Sequence, residues 1–263
     1  MIEAQRQPLP CLFAIEALKV AYGRKVVLEI ERLEIPAHSS IAIIGPNGAG
    51  KSTLLQSLLR DTRHVRCHGE PVGTRLRRGG IAFVAQHPLF STPLTVTEYV
   101  LLGRYPHLAW YTRPSAQDRM MAQTLLRQFD LTDLAHCRVA ALSGGEQQRA
   151  AIVRALMQET RVILLDEPNN HLDIRHQHLF MRELRAFQQT RPINCLMVLH
   201  DLGLAANYCD HVILMSKGRI EAAGSPQEVM TESCLTRVYE WPVRPYRLEN
   251  GGVAFDTLGV FAA

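Results

Sequence analysis

The apolar run Ser40-Ile41-Ala42-Ile43-Ile44 ends on Gly45-Pro46-Asn47-Gly48-Ala49-Gly50, and Lys51-Ser52-Thr53-Leu54-Leu55 follows directly. A short apolar run bounded by turn formers reads as a buried strand, and the residues from Lys51 read as the first turn of a helix. The spacing satisfies G-x-x-x-x-G-K-[ST]. In such a loop, glycines let backbone N–H groups curl around phosphate while the helix N-terminus adds a favourable dipole. The nucleotide-binding set is therefore Gly45, Pro46, Asn47, Gly48, Ala49, Gly50, Lys51, Ser52 and Thr53. Lys51 is placed to reach the terminal phosphates, and the Ser52 hydroxyl to hold Mg²⁺. A plain Gly-rich turn with one exposed lysine is the weaker reading, because strand, loop and helix stand in the order the cradle requires.

Two later segments belong with this loop. Arg161-Val162-Ile163-Leu164-Leu165 is a continuous apolar strand with Asp166 at its C-terminal end and Glu167 next to it. Open α/β sheets bind ligands at that edge. Alone, Asp166 is as readily a turn residue or a helix cap; beside a phosphate loop it reads as the carboxylate of a Mg²⁺ site. Glu167 is then placed to orient or deprotonate an attacking water, against the plainer reading of a solvated charge. The second segment, Leu142-Ser143-Gly144-Gly145-Glu146-Gln147-Gln148-Arg149, opens a helical pattern. Ser143 with Glu146 makes a capping box. Two consecutive glycines are unfavourable near a helix start and point instead to bare backbone approached by a ligand. A single nucleotide cannot use both phosphate-handling segments of one molecule, so the pattern implies a site that closes when two copies meet.

These motifs, in this order, resemble the ATP-binding cassette family, and the likeness spans nearly the whole chain. The fold it implies is α/β: a P-loop NTPase cassette with a RecA-like core, an antiparallel β subdomain and an inserted α-helical subdomain. The cassette would span residues 1–240, with the helical insert at about 91–159 and a C-terminal extension at 241–263. By resemblance, Gln86 touches Mg²⁺ or the lytic water and senses a transmembrane partner. His200 contacts the γ-phosphate, and Tyr22 stacks on adenine. Asp173, within Asn170-His171-Leu172-Asp173, lies in a dimer-contact loop. The catalytic set is Glu167, His200 and Gln86; the metal set is Ser52, Gln86 and Asp166; and Ser143, Gly144, Gly145 and Glu146 serve the site of the other copy. Glu146 departs from the glutamine often found at its place in the family. A carboxylate facing a triphosphate would be repelled, so Glu146 is expected to turn back to the Ser143 backbone or toward the ribose.

Composition narrows the remaining choices. At 263 residues with 47% hydrophobic content the chain can bury a substantial core, and the motif set occurs once. The net charge of +4 is mild and its densest basic run, Arg75-Leu76-Arg77-Arg78, is short, which argues against a nucleic-acid partner. No apolar stretch nears the ~20 residues of a membrane span and no signal-peptide pattern opens the chain, so the expected place is the cytoplasmic face of the membrane. The six cysteines are scattered without a C-x-x-C pair, consistent with a reducing compartment. His171, His176 and His178 cluster in sequence and are expected to be solvated surface residues.

Elements are legible between the motifs. The reading expects a helix from Lys51 to about Arg60, a strand near 65–68 with little else placed across 61–80, and helices through 91–159. Ser115 with Asp118 opens one of these, and Leu125, Leu126 and Phe129 share one of its faces. Strands at 161–166, 194–200 and 211–216 alternate with helices near 174–189 and 201–208, which implies a parallel sheet. Lys217-Gly218-Arg219 is a hairpin turn, and the tail from Trp241 to Ala263 reads as short strands or an ordered extension. Leu101-Leu102-Gly103-Arg104-Tyr105-Pro106-His107 and Asn169–Gln177 resemble the importers of iron complexes, haem and cobalamin. The resemblance implies ATP and Mg²⁺, a second copy of the chain, and integral membrane permease subunits that seat a coupling helix near 87–110. An external substrate-binding protein would act indirectly. Importers of free metal ion or molybdate, and soluble cassette ATPases without a membrane partner, stay open as alternatives.

Overall fold

The computed structural model describes residues 11–37, 40–60, 62–86, 93–109, 111–170 and 172–257. His171 and residues 87–92, part of the expected permease groove, lie outside the described residues, as do 258–263 of the extension.

The strands are β1 (Cys11–Tyr22), β2 (Lys25–Pro36), β3 (Ser40–Ile44), β4 (Val65–Cys67), β5 (Glu70–Pro71), β6 (Ala82–Val84), β7 (Val162–Asp166), β8 (Asn194–Val198), β9 (His211–Ser216), β10 (Arg219–Gly224), β11 (Arg244–Arg247) and β12 (Val253–Asp256). The helices are α1 (Lys51–Ser57), α2 (Val72–Arg77), α3 (Val96–Leu101), α4 (Ala116–Gln128), α5 (Gly144–Met157), α6 (Ile174–Thr190), α7 (Leu202–Tyr208), α8 (Pro226–Val229) and α9 (Glu232–Tyr239). Among the described residues the largest sheet has six strands, ordered β10-β9-β3-β8-β7-β6. β9, β3, β8, β7 and β6 run parallel, and β10 closes the edge antiparallel.

Alternation explains why these strands are apolar throughout. Ile41, Ile43, Val162, Leu164, Leu196, Val198, Ile213 and Met215 enter one buried cluster with the first hairpin and α1. Ala42, Ile44, Ile163, Leu165, Cys195, Met197, Leu199 and Leu214 enter a second cluster with the helices of the opposite face. Successive side chains of a strand point to opposite faces, so a sheet covered on both sides needs continuous apolar runs. The four-stranded sheet β2-β1-β4-β5 is antiparallel instead, and it alternates buried with exposed residues.

Between α3 and β7 the described residues form helices α4 and α5, with three short 3₁₀ turns. α3, α4 and α5 each begin with a capping box: Thr95 with Glu98, Ser115 with Asp118, and Ser143 with Glu146. Leu125, Leu126 and Phe129 are buried together, as their spacing requires.

Three expectations need correction. β8 stops at Val198, short of the expected end at His200, which stands on a loop beyond the sheet edge, as does Gln86 after β6. Residues 61–80 hold β4, the β5 strand and α2, where the sequence offered only one strand. His176 and His178 are not simply solvated: His176 Nδ1 lies 2.8 Å from Asp173 Oδ1, and His178 Nδ1 lies 2.9 Å from the Tyr208 hydroxyl. The tail pairs as the β11–β12 hairpin, tied to α7 by Asn207, whose amide group meets the Val253 O and N at 2.8 Å each. No helix among the described residues is long and apolar enough to cross a membrane.

Candidate nucleotide site

Four parallel strands end at one edge of the sheet and deliver the site. β3 runs into the phosphate loop, β7 ends on Asp166, and β6 and β8 lead to Gln86 and His200. Ile41 to Ile44 are completely buried, which anchors the loop that follows. Gly45 has φ +145°, and a Cβ there would stand 2.1 Å from the Met215 carbonyl oxygen on β9. Only glycine lets the chain pass the neighbouring strand here. Lys51 turns back over the loop and donates to the Gly45 and Pro46 carbonyls at 2.8 and 3.0 Å. Burial lowers the Lys51 pKa, and the charges of Glu167 and Asp166 oppose that shift.

The Ser52 hydroxyl donates to Asp166 Oδ1 at 2.8 Å. Burial raises the Asp166 pKa, with the Glu167 charge adding to it against the hydrogen bonds from Ser52 and Gln56. Glu167 sits at φ +50°, a left-handed conformation that costs a non-glycine residue about 1 kcal/mol or more. It is held there by converging partners. Gln86 Nε2 donates to Oε2 at 2.6 Å, the Asn170 amide donates to the same oxygen, and His200 Nε2 lies 2.7 Å from Oε1. Three neighbours thus direct the lone pairs of a buried carboxylate held on a strained backbone.

Tyr22, 55% exposed, pairs with Lys25 at the tip of the β1–β2 hairpin. That hairpin touches the loop: the Val27 carbonyl oxygen lies 3.1 Å from where a Gly50 Cβ would stand. The segment Ser143 to Glu146 is arranged differently. The Ser143 N–H donates to Glu146 Oε2 at 2.8 Å, and the Glu146 N–H approaches the Ser143 hydroxyl at 3.4 Å. Glu146 thus turns back on the Ser143 backbone. These bonds, the Ser143 hydroxyl first and its N–H second, hold the Glu146 carboxyl below the usual carboxylate range. Among the described residues no hydrogen bond or ion pair joins Ser143, Gly144, Gly145 or Glu146 to the phosphate loop, Asp166, Glu167 or His200. Asp173 is exposed and caps α6, accepting from the His176 N–H at 2.8 Å.

Two residues enter that sequence reasoning passed over. Asn170 was legible only as part of a loop; its place three residues after Glu167, with its N–H on the Glu167 carbonyl at 3.2 Å, makes it the third partner of the carboxylate. Tyr239, at the end of α9, buries its hydroxyl near the Gly45 backbone; burial pushes its pKa up to about 12, with the Gly45 backbone opposing that shift. Nothing local in the sequence announces so distant a contact.

A Gly-rich cradle after a central strand, a lysine folded over it, and an Asp-Glu pair on the adjacent strand define a nucleoside triphosphatase of the P-loop type. The model of the family described as "ABC transporter" matches residues 28–170. The ferric enterobactin transport ATP-binding protein FepC of Escherichia coli is 38% identical over 231 residues, covering 85% of each chain. The hemin import ATP-binding protein HmuV of Streptomyces coelicolor is 39% identical over 250 residues, covering 91% of this chain and 87% of that one. A chain from an ABC transporter solved in an inward-facing conformation superposes with a TM-score of 0.78 at 24% identity, covering 96% of this chain and 98% of the other. The chain belongs to the ABC transporter family, as an ATP-binding subunit that hydrolyses ATP in step with transport.

Proposed function

We propose that this chain is the ATPase subunit of an importer for an iron complex, siderophore or haem, or for cobalamin. Two copies work on the cytoplasmic face of the membrane beneath permease subunits, and a substrate-binding protein delivers the cargo from outside. The observation that carries this reading is the split between a converged set of groups around Glu167 and a signature segment whose Ser143, among the described residues, bonds within its own helix start. The likeness to FepC and HmuV supports the cargo class.

The residues present suit Mg²⁺: the Ser52 hydroxyl and the Asp166 carboxylate are hard oxygen donors, already 2.8 Å apart. Ser52 and Asp166, with Gln86, would hold the ion, and when bound it neutralises phosphate charge. Loop N–H groups from Asn47 to Thr53 cradle the β- and γ-phosphates, and Lys51 leaves the Gly45 and Pro46 carbonyls to meet them. Tyr22 offers its exposed ring to adenine. The second copy supplies Ser143 and Gly145, with Asp173 at the contact between copies. Closure then favours one permease conformation, a population shift driven by ATP binding. In hydrolysis a water oxygen attacks the γ-phosphorus, the bond to the ADP oxygen breaks, and Glu167 takes the water's proton while His200 steadies the γ-phosphate. Reopening resets the cycle.

Glu167→Gln keeps the shape and removes the proton acceptor, so with ATP and Mg²⁺ it should accumulate as a dimer in light scattering. A variant that stays monomeric under those conditions would overturn the reading.

A further inference from the structure

The helix that presents Ser143 at its start is gripped at its other end. The 3₁₀ segment Leu102–His107 follows α3 and lies against the last turn of α5. It approaches so closely that a Cβ on Gly103 would stand 2.2 Å from the Arg154 carbonyl oxygen and 2.7 Å from the Met157 Cβ. The next residue, Arg104, is mostly buried, with 16% of its side chain exposed. Its Nη1 donates to the Met157 carbonyl at 3.2 Å and lies 2.6 Å from Glu159 Oε2, while its Nε lies 2.7 Å from Asp118 Oδ1. Asp118 belongs to the cap of α4, so a single guanidinium joins the end of α5 to the start of α4. Glu159 also meets Arg191, just beyond α6, at 3.5 Å. His107 Nε2 lies 2.5 Å from the Gln158 carbonyl oxygen, and the Gln158 amide donates to the Gly79 and Ile81 carbonyls at 2.9 and 3.1 Å, immediately before β6.

The last carbonyls of a helix lack intrahelical partners, and a cation there also meets the negative end of the dipole. A lone surface pair would do little. A planar guanidinium that donates to a carbonyl and a carboxylate at the end of α5, with its Nε in ion-pair range of a carboxylate at the start of α4, fixes an orientation that a lysine cannot reproduce.

We infer that Arg104 is a positioning residue for the signature helix: by clamping the C-terminal end of α5 to α4 and to the Leu102–His107 segment, it sets the direction in which Ser143 and Gly145 are offered to the nucleotide held by the other copy. The inference rests on the proposed two-copy clamp. It assigns Arg104 an effect on closure and none on the chain's own phosphate loop. Gln158 connects the same helix end to the strand that leads to Gln86, so helix and Gln86 share one mechanical base.

The test uses the Glu167→Gln chain, with ATP and Mg²⁺, and measures two quantities: the dimer dissociation constant by analytical ultracentrifugation and ATP affinity of the dilute monomer by calorimetry. Adding Arg104→Lys should weaken the dimer about ten-fold, within the range typical of coupling between sites, while monomer affinity stays within about two-fold. Glu159→Gln removes one arm at the solvent edge and carries the test if Arg104→Lys does not fold; it should weaken the dimer by about three-fold. The inference fails if the folded variants dimerise as tightly as the parent, or if monomer ATP affinity falls by the same factor as dimerisation. If the Glu167→Gln parent itself never dimerises, the clamp falls, and the inference with it.

Discussion

The phosphate-loop side and the signature side both present a helix N-terminus, yet they are built in opposite ways. Around the loop, the polar groups are sunk into the core: Lys51 is 5% exposed, Asp166 2% and Glu167 8%. Lys51 is held by carbonyls of its own loop, Asp166 and Glu167 are held by partners from distant parts of the chain, and Glu167 sits in a strained backbone conformation as well. At the signature, Ser143 and Gly144 are exposed, and among the described residues the hydrogen bonds of Ser143 go to Glu146 and Gln147 of its own helix start. Burial makes the first set costly to assemble and therefore pre-organised for chemistry. The second set is rigid but unengaged. On the proposed two-copy reading, the difference teaches that one copy would carry the reactive half of the site complete, and that what it lacks is a contact rather than a catalytic group.

The most direct way to break this comparison is to damage each half in a separate chain. Lys51→Ala should lower ATP hydrolysis by about a thousand-fold, the range for removing one preorganised donor to developing charge. Ser143→Arg should lower it by a similar factor through blocked closure, while leaving ATP binding to the monomer in place. Mixed in equal amounts, the two inactive chains should recover about a quarter of the normal rate, because half of the two-fold dimers then hold one intact composite site of two. Steady-state phosphate release measures this. No recovery on mixing would place both halves in one molecule's site and end the contrast.

A second, smaller effect sharpens the description of the reactive half. Asn170 donates to the same Glu167 oxygen as Gln86. Asn170→Ala should slow hydrolysis by about ten-fold through a misdirected carboxylate, with ATP affinity unchanged, since a hydrogen bond to a charged group contributes about 1.5–3 kcal/mol. An equal loss in kcat and in ATP binding would mean that Asn170 supports the loop rather than Glu167.

The two halves also differ in how far the sequence reveals them. Gly45 to Thr53, Asp166 and Glu167 announce themselves because local spacing and a following or preceding apolar strand are themselves the chemistry. The continuous apolar runs of β3, β7 and β8 likewise mark a sheet covered on both faces, and the Ser143–Glu146 capping box was readable as well, the structure choosing the Ser143 backbone over the ribose for its carboxylate. What stayed hidden has long-range geometry. The hydroxyl of Tyr239 comes near Gly45 only after the chain returns along α9. Arg104 reads as one charge in a Pro-terminated loop until α4, α5 and Glu159 close around it. β5 and α2 were missed because Glu70 to Arg77 is short and mixed in character, so neither period of two nor of 3.6 could develop.

The smallest predicted effect bears on the signature side alone. Because Glu146 points back to Ser143, Glu146→Gln should change ATP affinity and hydrolysis by less than about two-fold, since a glutamine side chain can still complete the capping box. What it should change is pH dependence. The folded carboxyl is held below its usual value, chiefly by the Ser143 hydroxyl and then its N–H, so this contribution to α5 is complete above the ordinary carboxylate pKa of about 4.3. It is lost as pH falls through the lower folded value. The glutamine lacks that titration, so on the acid side its helix start should hold while that of the parent loosens. Hydrogen exchange at the Glu146 and Gln147 amides, followed from neutral pH to well below the ordinary carboxylate pKa of about 4.3, compares the two. A strong rise in ATP affinity for Glu146→Gln would show instead that the carboxylate faces phosphate on closure, and the signature would then carry a repulsive charge that its free form conceals.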